Sequence, residues 1–540
     1  MKNPPKHIPK FYDLLECIDF NDREEEFLAR FITNNVETNG KLYTKTEELE
    51  NFTNIHLLIA KYNSKLYTKH KDSEIKYWHG NYYIKSYEDD AIYIINKLKE
   101  LSQHGMDDYE NIANNWLDFN QYDSDSRRID DECKKDIIRK LFSKSSVALI
   151  YGVAGTGKST LIKYISELFN DKNRIYIAQT NPAVQNIEKK VELAKNLTQT
   201  ITKFLKNPTE CDILFIDECS TISNKTMKEI LEKANFKQLI LIGDNFQIES
   251  IQYGSWFDIA RNFITEKNGA IFELTTPYRT KDKELLAYWQ EVRNIKKDEE
   301  NKIIELDSHA KFSKPLNDEI FKEPADDEVI LCLNYDGLYG VNNINKFLQI
   351  MNKNELIKFG IYGFKVGDPI LFMENNYFVS NLHNNLKGKI KKIEQQIDDN
   401  GNIYEIYFEV EVERTFDSSS LTYGLTLLEQ YENSSLVGFS VDTFTDNESD
   451  NENAITIPFQ LGYAISIHKS QGLEFKSVKI IITNEIEEKI SHNIFYTAIT
   501  RAKEKLTIFW SPEVMNRVIE SFIIKNNKID LSILRTKNNI

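Results

Sequence analysis

The 540-residue chain has only five cysteines (Cys17, Cys133, Cys211, Cys219 and Cys332), and none stands in a C-x-x-C pair. That scatter argues against a disulfide framework and against a zinc site, and it fits a cytoplasmic, reducing setting. No run of 18 apolar residues occurs, so no membrane span is expected. The opening stretch MKNPPKHIPKFYDLLECIDF lacks a basic segment followed by an apolar stretch and a cleavage site, so no secretory leader is expected. Positive charge is also short, with a formal net charge of −15. A polyanionic partner would therefore be held in a local groove, by backbone amides, hydroxyls and a few Lys or Arg. No repeat of solenoid period appears. What remains is an ordinary globular mixture, 41% hydrophobic and 28% charged, long enough for several domains.

Along the chain the pattern changes four times. Residues 1–125 carry no nameable motif; AIYIINKLKELSQHG has helical spacing and KYWHGNYYIKSY reads as an aromatic hairpin, an α+β domain. The polar stretch Asn120–Glu132 is the first linker candidate. Short apolar strands then alternate with helices: SSVALIYG, RIYIAQT, DILFIDE and KQLILIGD are strands of a parallel α/β sheet over 126–282. A second α/β series covers 283–356 and 456–540, where LGYAISIHKSQG, SVKIIIT and KLTIFW recur. Between its halves, 357–455 alternates with period two and carries the turn DDNGN (398–402), which predicts a small inserted antiparallel barrel of SH3/OB-like size. TDNESDNENA (445–454) reads as an acidic surface loop.

YGVAGTGKST, Tyr151–Thr160, fits G-x-x-x-x-G-K-[S/T] between a strand and a helix. Gly152, Gly155, Thr156 and Gly157 let the loop wrap phosphates so that N–H groups point inward at the helix start, reached also by Ser159 and Thr160. Lys158 supplies a point charge near the β and γ phosphates and Ser159 a hydroxyl for Mg²⁺. ILFIDECS ends an apolar strand in Asp217–Glu218; one carboxylate can hold the Mg²⁺ shell while its neighbour orients or deprotonates water.

Such a site serves kinases, transporter ATPases, GTPases and motors alike, so the discriminating residues lie further on. LIGDNFQIESI places Asp244 and Gln247 just past a strand end. TTPYRT offers Arg279, and YTAITRAKEKL offers Arg501 on a helix some 340 residues from the loop. Either arginine alone reads as a surface ion pair; together they suggest a nucleotide closed between two domains, with cationic charge brought onto the transition state.

In that order, GVAGTGKST, LFIDEC, GDNFQIESI, PYRT, AISIHKSQGLEF and YTAITRAKEKL resemble the motifs of superfamily 1 helicases, nearest to the RecD-like branch and similar also to the Pif and Upf groups. The resemblance runs from Ile129 to Trp510. It implies an ATP- and Mg²⁺-dependent enzyme with two RecA-like domains of the P-loop NTPase class, a barrel inserted in the second, and stepping 5′ to 3′ along a single strand. It further implies that Lys158 and Ser159 contact phosphate and metal, that Asp217 and Glu218 hold metal and activate water, and that Gln247 senses the γ-phosphate. Arg279 and Arg501 would act as arginine fingers, with Gly472 and Glu474 near the nucleotide. Thr180, Thr200, His468, Lys469, Ser470 and Gln471 would face the strand, a binding mode in which hydroxyls and uncharged groups hold phosphates and still release them.

Two departures stand out. The family often reads adenine with a glutamine upstream of the phosphate loop; RRIDDECKKDIIRKLF has none, and Cys133 stands about where it would fall. Residues 1–125 lie outside the match and are the candidate surface for a protein partner. The expected partner is single-stranded or tailed DNA. An RNA or RNA–DNA remodelling motor is the nearest alternative, because a stacking groove need not read the 2′-OH. A regulatory ATPase switch in a nuclease or antiviral defence complex is the alternative of another class.

Overall fold

In the computed structural model the described residues are 22–120, 129, 131–191, 197–248, 253–264, 269–295, 310–322, 324–325, 327–373, 378, 381–399, 401, 403–416, 421, 423–442, 457–484, 490–522 and 527–538. The acidic loop 445–454 lies outside them, as do 121–128 and 130 of the linker candidate and 400 and 402 of the DDNGN turn. The chain forms two compact units, one of residues 1–179, 187–277 and 524–540, the other of 180–186 and 278–523.

The first unit opens with helices Glu24–Glu37, Ile55–Lys65 and Lys85–Leu101 around a three-stranded sheet. Its strands are β1 (Thr44–Lys45), β2 (Ile75–Trp78) and β3 (Asn81–Ile84), in order β1-β3-β2. The expected aromatic hairpin is β2–β3: Trp78 pairs with Asn81, and the two loop residues His79 (φ 40°) and Gly80 (φ 79°) both lie in the left-handed region, which matches the twist of the flanking strands. One face of the Lys85–Leu101 helix buries Ala91, Ile94, Ile95 and Leu98, each large side chain worth about 1.5–3 kcal/mol.

The parallel sheet of this unit contains β4 (Val147–Gly152), β5 (Arg174–Ala178), β6 (Thr198–Thr200), β7 (Cys211–Asp217), β8 (Phe236–Gly243) and β9 (Ile271–Leu274), in order β6-β5-β7-β8-β4-β9. Its strands read as continuous apolar runs because both faces are covered; β4 is buried at all six positions.

The second unit holds β10 (Ser313–Lys314) and β11 (Glu328–Cys332), then an insertion, then three more core strands. The insertion comprises β12 (Ile357–Phe359), β13 (Tyr362–Phe364), β14 (Pro369–Phe372), β15 (Lys387–Ile397), β16 (Ile403–Val412), β17 (Leu425–Gln430), β18 (Ser435–Asp442) and β19 (Phe459–Leu461). The core resumes with β20 (Ala464–Ser466), β21 (Phe475–Ile481) and β22 (Ala502–Phe509), completing a parallel sheet of order β10-β22-β21-β11-β20. The α/β architecture, with two parallel sheets and an N-terminal α+β region, is therefore as expected.

Three details differ from expectation. The insertion is an antiparallel sheet of order β17-β18-β16-β15-β14-β19, and among the described residues its edge strands β17 and β19 are not bonded to each other as a closed barrel would require. Its last strand, β19, lies past residue 455 because Phe459–Leu461 pairs with β14. The helix Lys528–Asn538, expected with the second α/β domain, belongs to the first unit. There Asp530 accepts from the backbone N–H of Leu42 (2.9 Å) and Tyr43 (3.3 Å), Lys537 pairs with Glu88 at 2.6 Å, and Ile533 and Leu534 join a core with Val36, Tyr83 and Ile95. The insertion is pinned by Asp368, which is fully buried and accepts from Asn352 Nδ2 (2.8 Å), Tyr463 OH (2.8 Å) and the Lys365 N–H (2.8 Å).

Candidate functional site

In the first unit the phosphate loop leaves β4 and enters the helix Lys158–Leu168. Gly155 (φ 79°) and Gly157 (φ 80°) take the left-handed conformation, open to glycine at no steric cost. A Cβ on Gly152 would meet Thr156 Oγ1 at 2.7 Å, so that glycine is needed for packing. The Thr156 hydroxyl donates to Val153 O at 2.9 Å and closes the turn. Lys158 Nζ donates to Gly152 O (2.7 Å) and Val153 O (3.2 Å), folded back on the loop's own carbonyls. Ser159 and Thr160 stand half-buried in the first helical turn.

β4, β8 and β7 are neighbours in the sheet, so their C-terminal ends share one edge, where open parallel sheets hold ligands. Asp217 closes β7 and is 8% exposed; its Oδ1 accepts from the Glu218 N–H at 2.8 Å. Burial first, and the Glu218 charge second, push its carboxyl up, against the pull of Lys158. Asp244, just past β8 and 1% exposed, is raised by burial and likewise pulled back by Lys158. Gln247 is buried and its Nε2 donates to Asp244 Oδ2 at 3.4 Å. Glu218 sits at φ 53°, left-handed for a residue with a Cβ, a conformation costing about 1–3 kcal/mol and concentrated at functional sites. Its Oε2 is buried without a hydrogen-bond partner.

Among the described residues no three His, Cys, Asp or Glu side chains converge as a closed metal site. The donor set instead suits a hard cation that keeps waters and takes a hydroxyl, one or two carboxylates and substrate phosphates. Ser159, Asp217 and the orphaned Glu218 oxygen are of that kind.

In the second unit Arg279 is anchored inside its own fold. Its Nη1 donates to Thr500 O at 2.7 Å and its Nη2 pairs with Glu474 Oε1 at 2.7 Å. Lys503 takes the other Glu474 oxygen at 3.2 Å. Two residues expected at the nucleotide, Arg279 and Glu474, are thus each other's partners, a pairing across 195 positions that no local pattern signals. Arg501, expected on a helix, stands in the turn between helix His492–Ile499 and β22, its N–H donating to Ala498 O at 3.2 Å. It is 2% exposed, with Nε on Thr497 O (3.0 Å) and Nη1 on Leu473 O (3.2 Å).

The expected strand-facing residues divide. His468 is exposed, while Lys469 and Gln471 are half-buried. Lys469 Nζ donates to Gln460 Oε1 at 2.7 Å. Ser470 is fully buried and donates to Ile467 O at 2.6 Å, so it shapes the short 3₁₀ turn His468–Ser470 rather than facing a strand. Gly472, at φ 76°, turns the chain out of that segment. Thr180 caps helix Asn181–Val191 through Ala183 N–H (3.4 Å), and Thr200 caps helix Ile201–Lys206 through Lys203 N–H (3.4 Å). Their hydroxyls serve first as N-caps.

An AAA domain model matches residues 132–313, and a UvrD-like helicase C-terminal domain model matches 461–509. An uncharacterized protein of Methanocaldococcus jannaschii is 26% identical over 449 residues, covering 69% of this chain and 37% of its own length. The RecBCD enzyme subunit RecD of Buchnera aphidicola (subsp. Schizaphis graminum) is 24% identical over 521 residues, 74% of this chain and 78% of its own. Among solved structures, Bacteroides Pif1 bound to ssDNA is 18% identical at a TM-score of 0.44, covering 76% of this chain and 97% of its own. This chain thus spans little more than a third of the archaeal relative and about three quarters of RecD. The family models fall on the stretches that hold the phosphate loop and both arginines, and with the RecD likeness they make the chain similar to RecD-like helicases.

Proposed function

We propose that the chain is a DNA helicase or translocase that hydrolyses ATP with Mg²⁺ while stepping 5′ to 3′ along single-stranded DNA. The observation that carries the reading is the shared strand edge of the first unit, where the Lys158 charge offsets part of the burial that raises the Asp217 and Asp244 carboxyls. Lys158 leaves its loop carbonyls for the β and γ phosphates. Ser159 and Asp217 would hold Mg²⁺, which would supply positive charge against the negative charge that develops on the phosphates. Glu218, whose Oε2 has no partner, orients the attacking water and takes its proton. Gln247 responds to the γ-phosphate, and Arg279 and Arg501 meet transition-state charge. Gly472 and Glu474 border the nucleotide, while Thr180, Thr200, His468, Lys469 and Gln471 lie along the strand.

Unwinding of duplexes with a 5′ or a 3′ single-stranded tail tests the reading. The 5′-tailed substrate should open in an ATP-dependent way and the 3′-tailed one should not; the reverse preference, or neither opening, would sink it. A second reading, a nucleotide-controlled switch governing a protein partner through residues 1–125, is favoured by the net charge of −15. It predicts hydrolysis indifferent to any strand.

A further inference from the structure

Three consecutive residues of the second unit, Leu473, Glu474 and Phe475, hold both arginines to which the proposed function gives transition-state charge. Arg501 Nη1 donates to Leu473 O at 3.2 Å, and the Phe475 N–H donates to Arg501 O at 3.0 Å. Between them the Glu474 carboxylate takes Arg279 at 2.7 Å and Lys503 at 3.2 Å. This segment is also gripped from the insertion. Lys387, the first residue of β15, donates from Nζ to Glu474 O at 3.1 Å. The same ammonium lies 3.8 Å from the centre of the Phe475 ring and pairs with Asp327 Oδ1 at 3.2 Å. Its side chain is only 18% exposed, so these contacts are screened less than those of a surface pair.

Asp327 fixes the other end of the grip. It stands just ahead of β11 at φ 53°, left-handed backbone that a residue with a Cβ keeps only where its surroundings hold it. Its Oδ2 accepts from the Lys476 N–H at 3.0 Å, and its carbonyl accepts from the Ser477 N–H at 3.3 Å. Asp327 therefore anchors the start of β21 while Lys387 anchors the residues that lead into it. A staple that merely fastened the insertion to the core could end on Asp327. Donation to the Glu474 main chain, with the Phe475 ring beneath, reaches the arginine-bearing segment itself.

We propose that Lys387 is a positioning residue that fixes the main chain at Glu474 and so sets where Arg279 and Arg501 present their charge, tying both to the inserted sheet. The inference rests on the arginine roles proposed above. Lys387 touches no reacting atom and acts only through Glu474 and Phe475. An arginine acting on a transition state is worth roughly a thousandfold or more. A displacement of about 1 Å is then felt in kcat rather than in nucleotide affinity.

The test is steady-state ATP hydrolysis and equilibrium ATP binding by the full chain, with a thermal midpoint for each variant. The variants are Lys387→Met and Lys387→Arg, with Arg279→Ala, Arg501→Ala and Lys158→Ala as references. Lys387→Met keeps the length and the packing on Phe475 and removes the charge. It should lower kcat by roughly 10- to 100-fold while KM and ATP affinity stay within about threefold, and Lys387→Arg should recover most of the loss. Where Lys387→Met does not fold, Asp327→Asn tolerates the left-handed backbone and removes only the charge that holds the ammonium; it should lower kcat by about threefold or more. Wild-type kcat in a folded Lys387→Met or Asp327→Asn protein would overturn the proposal, even with a lowered thermal midpoint, because that is the mark of a staple alone. A loss carried by affinity instead of kcat would overturn it too. Unchanged kcat in Arg279→Ala and Arg501→Ala, or wild-type turnover no higher than Lys158→Ala, would overturn the roles assigned under the proposed function, and so separates the two claims.

Discussion

The two parallel sheets hold their charged groups in opposite ways. At the edge of the first sheet, Asp217 and Asp244 are carboxylates taken out of water, raised by burial and relieved only in part by Lys158. In the second unit, Arg279 and Arg501 are held by carbonyls and by Glu474 within that unit's own fold. The first is a site whose charges are short of cations; the second keeps cations on local acceptors. A nucleotide with its metal would supply the first unit with the positive charge that its buried carboxylates lack.

Removing Lys158 should break this contrast most severely. Lys158→Ala is expected to lower ATP turnover by at least about 100-fold, the scale of losing one preorganised electrostatic donor; retained turnover in a steady-state assay would move the chemistry elsewhere. Glu218→Gln should lower turnover by roughly 100-fold or more while the protein still binds ATP, since general-base catalysis carries that much. Unchanged turnover would remove Glu218 as the base.

The arginines sharpen the contrast by differing in stability. Arg501→Ala leaves the Thr497 and Leu473 carbonyls without their donor and should cost about 2–4 kcal/mol. Arg279→Ala should cost about 1 kcal/mol, because its pair with Glu474 is nearer the surface. Both should reduce turnover more than nucleotide affinity. Equal shifts in a denaturant melt would show that the two are held alike.

A separate effect is a pH dependence of the first unit. Asp530 titrates at about 6 in the fold, raised by burial, against an ordinary value of about 4 for an unfolded chain. The folded state therefore binds the proton more tightly. Its contribution is full below about pH 4 and is lost as pH rises through about 6, amounting to roughly 2–3 kcal/mol. Asp530→Asn should flatten stability against pH in that window, and an unaltered slope would assign the dependence to other groups. Asp217 and Asp244 act with the same sign in the nucleotide-free protein.

How much of this was legible in the sequence depended on how local the cause was. The phosphate loop reads directly because strand, glycines, lysine and helix are contiguous, and the parallel strands read because both faces are apolar. The apolar pattern of YTAIT predicts a helix that runs through Arg501, yet the helix stops at Ile499 and the chain turns into β22. The helix Lys528–Asn538 has an amphipathic face that says nothing of which surface it covers; Asp530 and Lys537 find partners almost 490 and 450 positions away. The Arg279–Glu474 pair is long-range in the same sense. Period-two alternation announced the antiparallel insertion, but alternation fixes faces and not closure, so an open ladder and a barrel look the same.

The most direct measurement of the central claim is steady-state ATP hydrolysis by the full chain with no nucleic acid, with single-stranded DNA and with single-stranded RNA, using Lys158→Ala as the blank. The account predicts hydrolysis above the blank that single-stranded DNA stimulates strongly. Hydrolysis equal to the blank, or above it but indifferent to either strand, would contradict it.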